Sequence, residues 1–353
     1  MDNHRHRTII YLFALIVITV AIFTAYTHFS AGTDNEKSNN SIAESNVGSN
    51  VVITESQQLM GTIVTIEIIN LKTNAETTIN SAFGEIDRIE KLMTTFDSES
   101  EIGILNAEGQ VDNVSDDLIY VIEQSIQYGN LSNGAFDVSI KPILDLWKTK
   151  IIAGGYPTGH EINETLTLVN YSNITVENRT IYLNRKGMSI TVDGIAKGYA
   201  VDQAVKVLKN NGYVSGFVNA GGDGMYFGTR PDGSYWKVGL RNPENKSQSI
   251  VVMNISDMAV ATSGNYERYF NESAPVSHIS DPRTGYSSQS LLSATIIASS
   301  AMEADTLATT VFVLGPGKGL ELIENIQNTE CILITPENEI LISSGFDTYL
   351  SNT

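Results

Sequence analysis

Residues 193–198 read Asp-Gly-Ile-Ala-Lys-Gly, a glycine-rich turn that leads from an apolar segment into a predicted helix. Backbone N–H groups at such a turn lie at the positive end of the helix dipole and can bind an anion. With Lys197 as a mobile cation beside them, they would hold a phosphate. The same pattern is typical of an ordinary strand-to-helix connection with a surface lysine, so both interpretations stay open. Residues 219–224, Asn-Ala-Gly-Gly-Asp-Gly, offer a similar choice between a ligand contact and a bend between strands.

His278 shares a short loop with Asp281, Pro282, Arg283 and Gly285. An imidazole titrates near neutral pH and suits general-base work, whereas a guanidinium suits a phosphate or a carboxylate. The loop is therefore a candidate catalytic segment, with Arg283 as a candidate ligand contact. A capped turn whose histidine is merely hydrogen-bonded would contain the same residues.

Asp305 and Thr309 are four residues apart in a predicted helix, so their side chains share one face. A carboxylate and a hydroxyl oxygen are ligands for a hard cation, Mg²⁺ rather than Zn²⁺. An exposed helix start with Asp305 in its first turn would account for the same spacing. Taken together, the candidate phosphate, metal and base groups indicate chemistry on a phosphate ester of a small ligand.

The composition excludes several other classes of function. The chain has 353 residues, with 22 Lys+Arg against 40 Asp+Glu and a formal net charge of −18, which argues against nucleic acid as the main partner. The single cysteine, Cys331, excludes a disulfide framework, a cysteine-rich zinc site and an iron–sulfur cluster. Because Cys331 begins an apolar run, we expect a buried strand residue there.

An apolar run from Ile9 to Tyr26 follows Arg5 and Arg7 and is typical of a membrane signal. Its basic flank predicts that the N-terminus stays inside and that the remainder is exported. We expect an N-terminal anchor over residues 1–30, a flexible tether over 31–50 and a folded domain over 51–353. A signal that is cleaved near Ala31 remains an open alternative to the anchor.

Hydrophobic periodicity predicts more strands than helices, with many strands joined by short turns, which favours an α+β fold. Sheets of mixed but largely antiparallel direction with flanking helices are therefore expected. Helices are predicted over residues 75–93, 116–131, 198–210, 302–313 and 317–328. Strands are predicted, among others, over residues 59–69, 188–192, 214–218, 291–298 and 331–334.

In this order, these motifs resemble the ApbE family of FAD:protein FMN transferases over nearly the whole folded part. Further matching pieces are Met60-Gly61-Thr62, Gly134-Ala135-Phe136-Asp137 and Ala261-Thr262-Ser263-Gly264. The resemblance implies a two-lobed fold and an enzyme that cleaves the pyrophosphate of FAD with Mg²⁺. FMN would pass to a threonine or serine hydroxyl of an acceptor protein, with release of AMP.

The resemblance also implies a role for each matching residue. Asp305, Thr309 and the carbonyl near Gly194 would hold Mg²⁺, and His278 would be the catalytic base. Lys197 would touch FAD and, with Mg²⁺, stabilise the departure of AMP, while Asp305 would take part in catalysis through the metal. The FAD contacts would be Met60, Phe96, Ala135, Phe136, Asp137, Lys197, Ile279 and Arg283, together with Thr191 or Asp193.

Two positions depart from the family pattern. Phe96 stands where the family usually has tyrosine, which keeps ring stacking but removes a hydroxyl. Thr191 stands where the family often has aspartate, whereas this chain has Asp193 two residues later. Which of the two side chains meets the ligand stays open at this point.

Three functions remain in competition. The leading hypothesis is a membrane-tethered FMN transferase outside the cytoplasm, whose acceptor would be an Rnf- or Nqr-like redox subunit or an extracellular flavoprotein with a Ser/Thr-Gly-Ala-Ser/Thr motif. An FAD pyrophosphatase would use water at the same site and form FMN and AMP. A non-catalytic FAD-binding module is disfavoured, because a carrier needs none of His278, Asp305 and Thr309.

Overall fold

The structure, a computed structural model, describes residues 43–47, 50–70, 74–242, 248–264 and 279–351. Both the predicted anchor and His278 lie outside these residues. Within them, no helix combines the length and the apolar character needed to cross a bilayer.

Strands and helices alternate irregularly along the chain. The strands are β1 (Ala43–Val47), β2 (Asn50–Leu59), β3 (Thr62–Asn70), β4 (Gln110–Val111), β5 (Ile174–Glu177), β6 (Thr180–Leu183), β7 (Gly216–Ala220), β8 (Asp223–Phe227), β9 (Trp236–Arg241), β10 (Ser249–Ile255), β11 (Met258–Gly264), β12 (Ser293–Ala298), β13 (Glu330–Ile334) and β14 (Ile340–Ile342). The α-helices are α1 (Ala75–Met93), α2 (Glu101–Glu108), α3 (Asp116–Leu131), α4 (Lys141–Ile152), α5 (Gly159–Leu166), α6 (Ala196–Asn210) and α7 (Ala301–Glu324).

The main sheet has the strand order β1-β2-β3-β7-β8-β11-β12-β13-β14. Every neighbouring pair in it is antiparallel. The strands β4, β6 and β5 form a small antiparallel sheet, and β9 pairs with β10 in a separate ribbon. The predicted α+β class with largely antiparallel sheets is therefore confirmed.

The central strands of the main sheet are buried on both faces. Side chains alternate along a strand, so each strand contributes to two cores. On β13, Cys331 and Leu333 join the larger core, whereas Ile332 and Ile334 join a second core with Trp236 of the ribbon. The prediction that Cys331 is a buried strand residue is confirmed.

Helices α1, α6 and α7 contribute to the larger core, and the predicted bounds of α1 and α3 are confirmed to the residue. In α1 the buried residues include Ile79, Phe83 and Ile86, a spacing that places them on one helix face. The side chain of Ser115 accepts a hydrogen bond from the backbone of Leu118 and caps α3, which explains where that helix begins.

Two predicted elements were wrong in detail. Residues 188–192 are not a strand, because the N–H and C=O of Ile190 bond to the side chain of Asn106 and the N–H of Thr191 bonds to the carbonyl of Val138. The predicted strand over 59–69 is the end of β2, a tight turn at Met60-Gly61 and then β3. The two predicted C-terminal helices are confirmed as two helical segments of α7, which meet at a non-helical residue, Gly315, with φ 78°.

Candidate active site

A cleft of about 720 Å³ opens where the N-terminal turn of α6, the middle of α7 and the loops of the main sheet meet. It brings together most of the residues that the sequence analysis selected. Those that line it are Phe96, Ala135, Phe136, Asp137, Thr191, Asp193, Gly194, Lys197, Ile279, Asp305 and Thr309.

The predicted metal ligands lie close together at one end of this cleft. Asp305 and Thr309 are one turn apart on α7, and the hydroxyl of Thr309 lies 3.3 Å from that of Ser263. A Cβ atom placed on Gly194 would lie 3.2 Å from Oγ1 of Thr309, so the backbone at Gly194 approaches the same hydroxyl. The carboxylate, the hydroxyl and the backbone at Gly194 offer the oxygen donors that Mg²⁺ prefers.

Asp305 is buried and surrounded by charge. Burial raises the pKa of Asp305 to about 7 against the opposing charge of Lys197, and the nearby carboxylates of Asp223 and Asp193 also raise it. A divalent cation would favour the charged form of this carboxylate and offset the repulsion. Among the described residues there is no cluster of three or more His, Cys, Asp or Glu side chains that could hold a metal, so a cation here would depend on neutral oxygens as well. The donor set thus fits Mg²⁺, which stays a prediction.

Lys197 lies in the first turn of α6 and forms an ion pair with Asp223, a buried residue of β8. The other oxygen of Asp223 accepts a hydrogen bond from the backbone of Thr262 at 3.0 Å, which ties β8 to β11. Asp223 thereby holds the lysine ammonium at the cleft. The surrounding glycine motif was predictable from the sequence as a candidate ligand contact, whereas the pairing of Asp223 with Lys197 was not.

The helix N-terminus that the sequence proposed as an anion site is already partly occupied by the protein itself. The N–H of Gly198 donates to Oδ2 of Asp305 at 2.9 Å. Residues 193–198 therefore have features of both an anion site and an ordinary connection into a helix. Lys197 lines the cleft, while the backbone N–H of Gly198 binds an internal carboxylate.

The segment Ala135–Asp137 forms a second wall. Phe136 is buried edge-on against Tyr128, with ring centroids 6.4 Å apart. Asp137 accepts hydrogen bonds from the N–H and hydroxyl of Ser139 at 2.8 and 2.6 Å and from the N–H of Tyr171 at 2.9 Å. Burial raises the pKa of Asp137, and these donors oppose that shift. Both oxygens of Asp137 thus fasten the wall in place.

The cleft also has an aromatic rim and a polar floor. Phe96 is 89% exposed, an unusual state for a large apolar ring, and it stands at the cleft. Thr191 is buried, whereas Asp193 is exposed, and both line the cleft. Both residues therefore stay candidate ligand contacts, with Asp193 the more exposed of the two.

Two selected residues do not line the cleft. The N–H of Met60 donates to Glu90 at 2.6 Å, and its side chain packs against the larger core, while its neighbours Gly61 and Thr62 do line the cleft. Arg283 makes a two-pronged ion pair with Asp281, with both contacts at 2.8 Å. His278 lies outside the described residues.

The comparisons with known proteins agree with this arrangement. The sequence model described as the ApbE family matches residues 60–333. The chain belongs to the ApbE family. A crystal structure of the ApbE protein from Thermotoga maritima superposes with a TM-score of 0.79 at 28% identity, covering 85% of this chain and 100% of that one. The flavin transferase ApbE from Vibrio cholerae superposes with a TM-score of 0.74 at 26% identity, with the same coverage.

Sequence relatives point to the same family. A protein of Vibrio cholerae named FAD:protein FMN transferase is 29% identical over 280 residues, which are 76% of this chain and 84% of the relative. A protein of Klebsiella pneumoniae with the same name is 28% identical over 302 residues, 84% of this chain and 93% of the relative. The family resemblance and the ApbE-like fold predicted from the sequence are thus confirmed.

In this member of the ApbE family, lysines of α4 that were not predicted from the sequence also line the cleft. Lys141 and Lys148 stand seven residues apart on α4, so they share one helix face. Lys141 pairs with Asp145 at 2.6 Å. Their helical spacing, directly after the Ala135–Asp137 wall, was the signal that could have found them.

Proposed function

We propose that the chain is an FAD:protein FMN transferase that uses Mg²⁺ and joins FMN to a threonine or serine hydroxyl of an acceptor protein. Family membership and relatives named for this activity support the flavin transfer. The single observation that carries the proposal is the gathering of Asp305, Thr309 and Lys197 in one cleft. Oxygen donors that would hold Mg²⁺, with a lysine beside them, place positive charge where the pyrophosphate of FAD would bind.

In the proposed reaction, the acceptor oxygen forms a bond to the phosphorus of the FMN half of FAD. The bond from that phosphorus to the bridging oxygen breaks, its electron pair leaves with AMP, and the acceptor proton passes to a base. His278 remains the predicted base. Mg²⁺, when bound, would neutralise the pyrophosphate and the departing phosphate.

The residues of the chain would prepare that step. Lys197, held by Asp223, presents a positive charge whose position is set before the substrate arrives, and such charge stabilises a leaving phosphate more than a freely moving lysine does. Phe96 offers an exposed ring on which a flavin or an adenine can stack. The wall of Ala135–Asp137 would bound the ligand on the other side.

The test uses the full chain with FAD, Mg²⁺ and a peptide that contains Ser-Gly-Ala-Thr. Mass spectrometry would detect the peptide carrying FMN, and chromatography would count AMP. We expect adduct and AMP in equal amounts, and loss of both on removal of Mg²⁺ with a chelator. AMP without an adduct, with water as the acceptor, would instead establish the pyrophosphatase. Bound FAD with neither product would leave only the flavin-binding module.

A pair of matched variants connects the activity to the cleft. Thr309→Val should lower the rate of adduct formation at limiting Mg²⁺ by about 10- to 100-fold, because one of the few oxygen donors is lost. The control is Thr310→Val, in the next position of α7, whose hydroxyl bonds to the carbonyl of Thr306 at 2.7 Å inside the helix. Equal effects of the two variants would contradict the assignment.

We further propose that an N-terminal anchor holds the chain at the membrane with its catalytic domain outside the cytoplasm, where the acceptor would lie. The apolar run from Ile9 to Tyr26 after Arg5 and Arg7 supports this. Protease added to intact spheroplasts should digest the domain. A domain that stays intact in the spheroplasts but is digested once the cells are lysed would contradict the proposal.

A further inference from the structure

Helices α6 and α7 supply hydrogen-bond acceptors to each other's first turns. Asp202 of α6 accepts from the N–H of Ala301 at 2.8 Å and from that of Met302 at 2.9 Å. Asp305 of α7 accepts from the N–H of Gly198, in the first turn of α6, at 2.9 Å. Each carboxylate therefore satisfies N–H groups that have no partner within their own helix.

The two contacts are spaced so that they fix the helices in two ways. Gly198 and Asp202 are four residues apart on α6, and Ala301 and Asp305 are four residues apart on α7. Four residues span one turn, or about 6 Å along a helix. The rest of α7 is held by its packing in the larger core, and two contacts one turn apart set both the angle and the height of its N-terminal part against α6.

The backbones of the two helices also approach each other closely at Gly198. A Cβ atom on Gly198 would lie 2.2 Å from the carbonyl oxygen of Ala301, a contact between backbones. The absence of a side chain at Gly198 permits this approach. The hydrogen bonds of Asp202 and Asp305 to the opposite helix then fix which residues face each other. The placement of Asp305 and Thr309 therefore depends on this helix crossing as well as on the packing of α7 in the larger core.

Asp202 itself is not among the residues that line the cleft. It touches the backbone of α7 at Ala301 and Met302, one turn before Asp305. Any effect of Asp202 on a bound cation must therefore pass through the position of α7, and not through contact with the cation or with FAD.

We propose that Asp202 is a positioning residue for the oxygen cluster of Asp305, Thr309 and Gly194, which it assembles by holding the first turn of α7 against α6. This inference rests on the proposed function only in taking the ion to be Mg²⁺. Without Asp202, α7 would spend part of its time in other placements. The apparent affinity for the ion then falls by the fraction of molecules that keep the cluster assembled.

The experiment measures metal binding by the full chain without FAD or acceptor. Mg²⁺ alone is titrated by calorimetry, and Mn²⁺ alone is followed by electron paramagnetic resonance. Asp202→Asn keeps the side-chain volume but turns an NH₂ group toward backbone N–H donors. We expect its metal affinity to fall about tenfold or more, the size usual for groups that orient metal ligands.

The matched control is Ser300→Ala. The hydroxyl of Ser300 accepts a hydrogen bond from the N–H of Glu303 at 3.2 Å, so it caps the same end of α7 from within that helix. Its loss should lower the melting temperature while the metal affinity stays near that of the unaltered chain. Loss of helix stability alone is thereby separated from loss of helix position.

A second readout distinguishes position from general damage. In FMN transfer, Asp202→Asn should raise the Mg²⁺ concentration for half-maximal rate by the same factor as the dissociation constant, with the rate at saturating Mg²⁺ nearly retained, because bound metal reassembles the cluster. If this variant does not fold, Asp202→Glu takes its place, with a smaller loss expected from a carboxylate one methylene too long.

The outcomes separate this inference from the proposed function. Unchanged metal affinity in Asp202→Asn, an equal loss in Ser300→Ala, or no metal binding by the unaltered chain would each overturn the positioning role, even if FMN transfer is observed. A chain that binds metal, loses it on substitution of Asp202 and yet transfers no FMN would keep the positioning role and refute the transferase.

Discussion

Substitution of Gly198 by alanine tests the helix crossing that underlies the site. The added Cβ atom would lie 2.2 Å from the carbonyl oxygen of Ala301, 2.5 Å from its carbon and 2.7 Å from Cα of Met302. All three neighbours are backbone atoms of the first turn of α7, so no side chain can rotate away. To reach an ordinary contact of 3.4 Å, the two helices must separate by roughly 1.2 Å.

Two costs follow from that separation. Overpacking of this kind costs about 1–3 kcal/mol. The hydrogen bond from Gly198 to Asp305 would stretch well beyond 2.9 Å, and loss of a bond to a charged group costs about 1.5–3 kcal/mol. Alanine regains about 1 kcal/mol of helix propensity. We therefore expect the free energy of unfolding to fall by about 1.5–5 kcal/mol.

The assay is urea unfolding of the full chain, followed by circular dichroism, with Gly84→Ala as the matched control. Gly84 is also inside a helix, α1, but a Cβ atom there would have no neighbour within 4 Å. The control should therefore gain about 0.5–1 kcal/mol. A Gly198→Ala protein that is as stable as the control would refute the close approach and, with it, the structural basis of the metal cluster.

Three further predictions follow from single contacts. Phe96→Ala should leave the melting temperature unchanged, because the ring is 89% exposed, but should weaken FAD binding as measured by fluorescence quenching. Phe96→Tyr keeps an aromatic ring and should bind FAD as the unaltered chain does. A loss of stability without a loss of FAD binding would contradict the stacking role. Trp147→Phe removes the buried hydrogen bond from Nε1 to the carbonyl of Gly285 at 2.7 Å. This variant should lower the free energy of unfolding by about 1–3 kcal/mol in urea titrations. Unchanged stability would mean that the bond is not made in solution. Lys150 and the cap of α5 lower the pKa of Glu161 to about 2. In parallel unfolding titrations, Glu161→Gln should therefore be less stable than the unaltered chain above pH 4.5, and the difference should fade as the pH falls toward 2. A difference that does not depend on pH would show that the charge of Glu161 is not involved.

Local elements were largely predictable from the sequence, since their causes lie within a few residues. The apolar spacing of α1 and the serine cap of α3 determine those helices by themselves. The strand proposed over 188–192 failed for the opposite reason. Its alternating residues suit a strand, but its backbone groups bond to a side chain, that of Asn106, and to the carbonyl of Val138. The alternation of side chains within residues 188–192 cannot predict hydrogen-bond partners that lie far away in the sequence.

The candidate site divides in the same way. The residue types of Lys197, Asp305 and Thr309 could be selected from the sequence because their chemistry is evident in the residues themselves. Their arrangement could not, because the bond between Gly198 and Asp305 joins positions 107 residues apart. The roles of Asp223 and Asp202, which hold Lys197 and α7, depend on similar long-range contacts. Asp305 thus owes its identity as a candidate ligand to the sequence, and its position to the close packing of two helices that only the folded chain brings together.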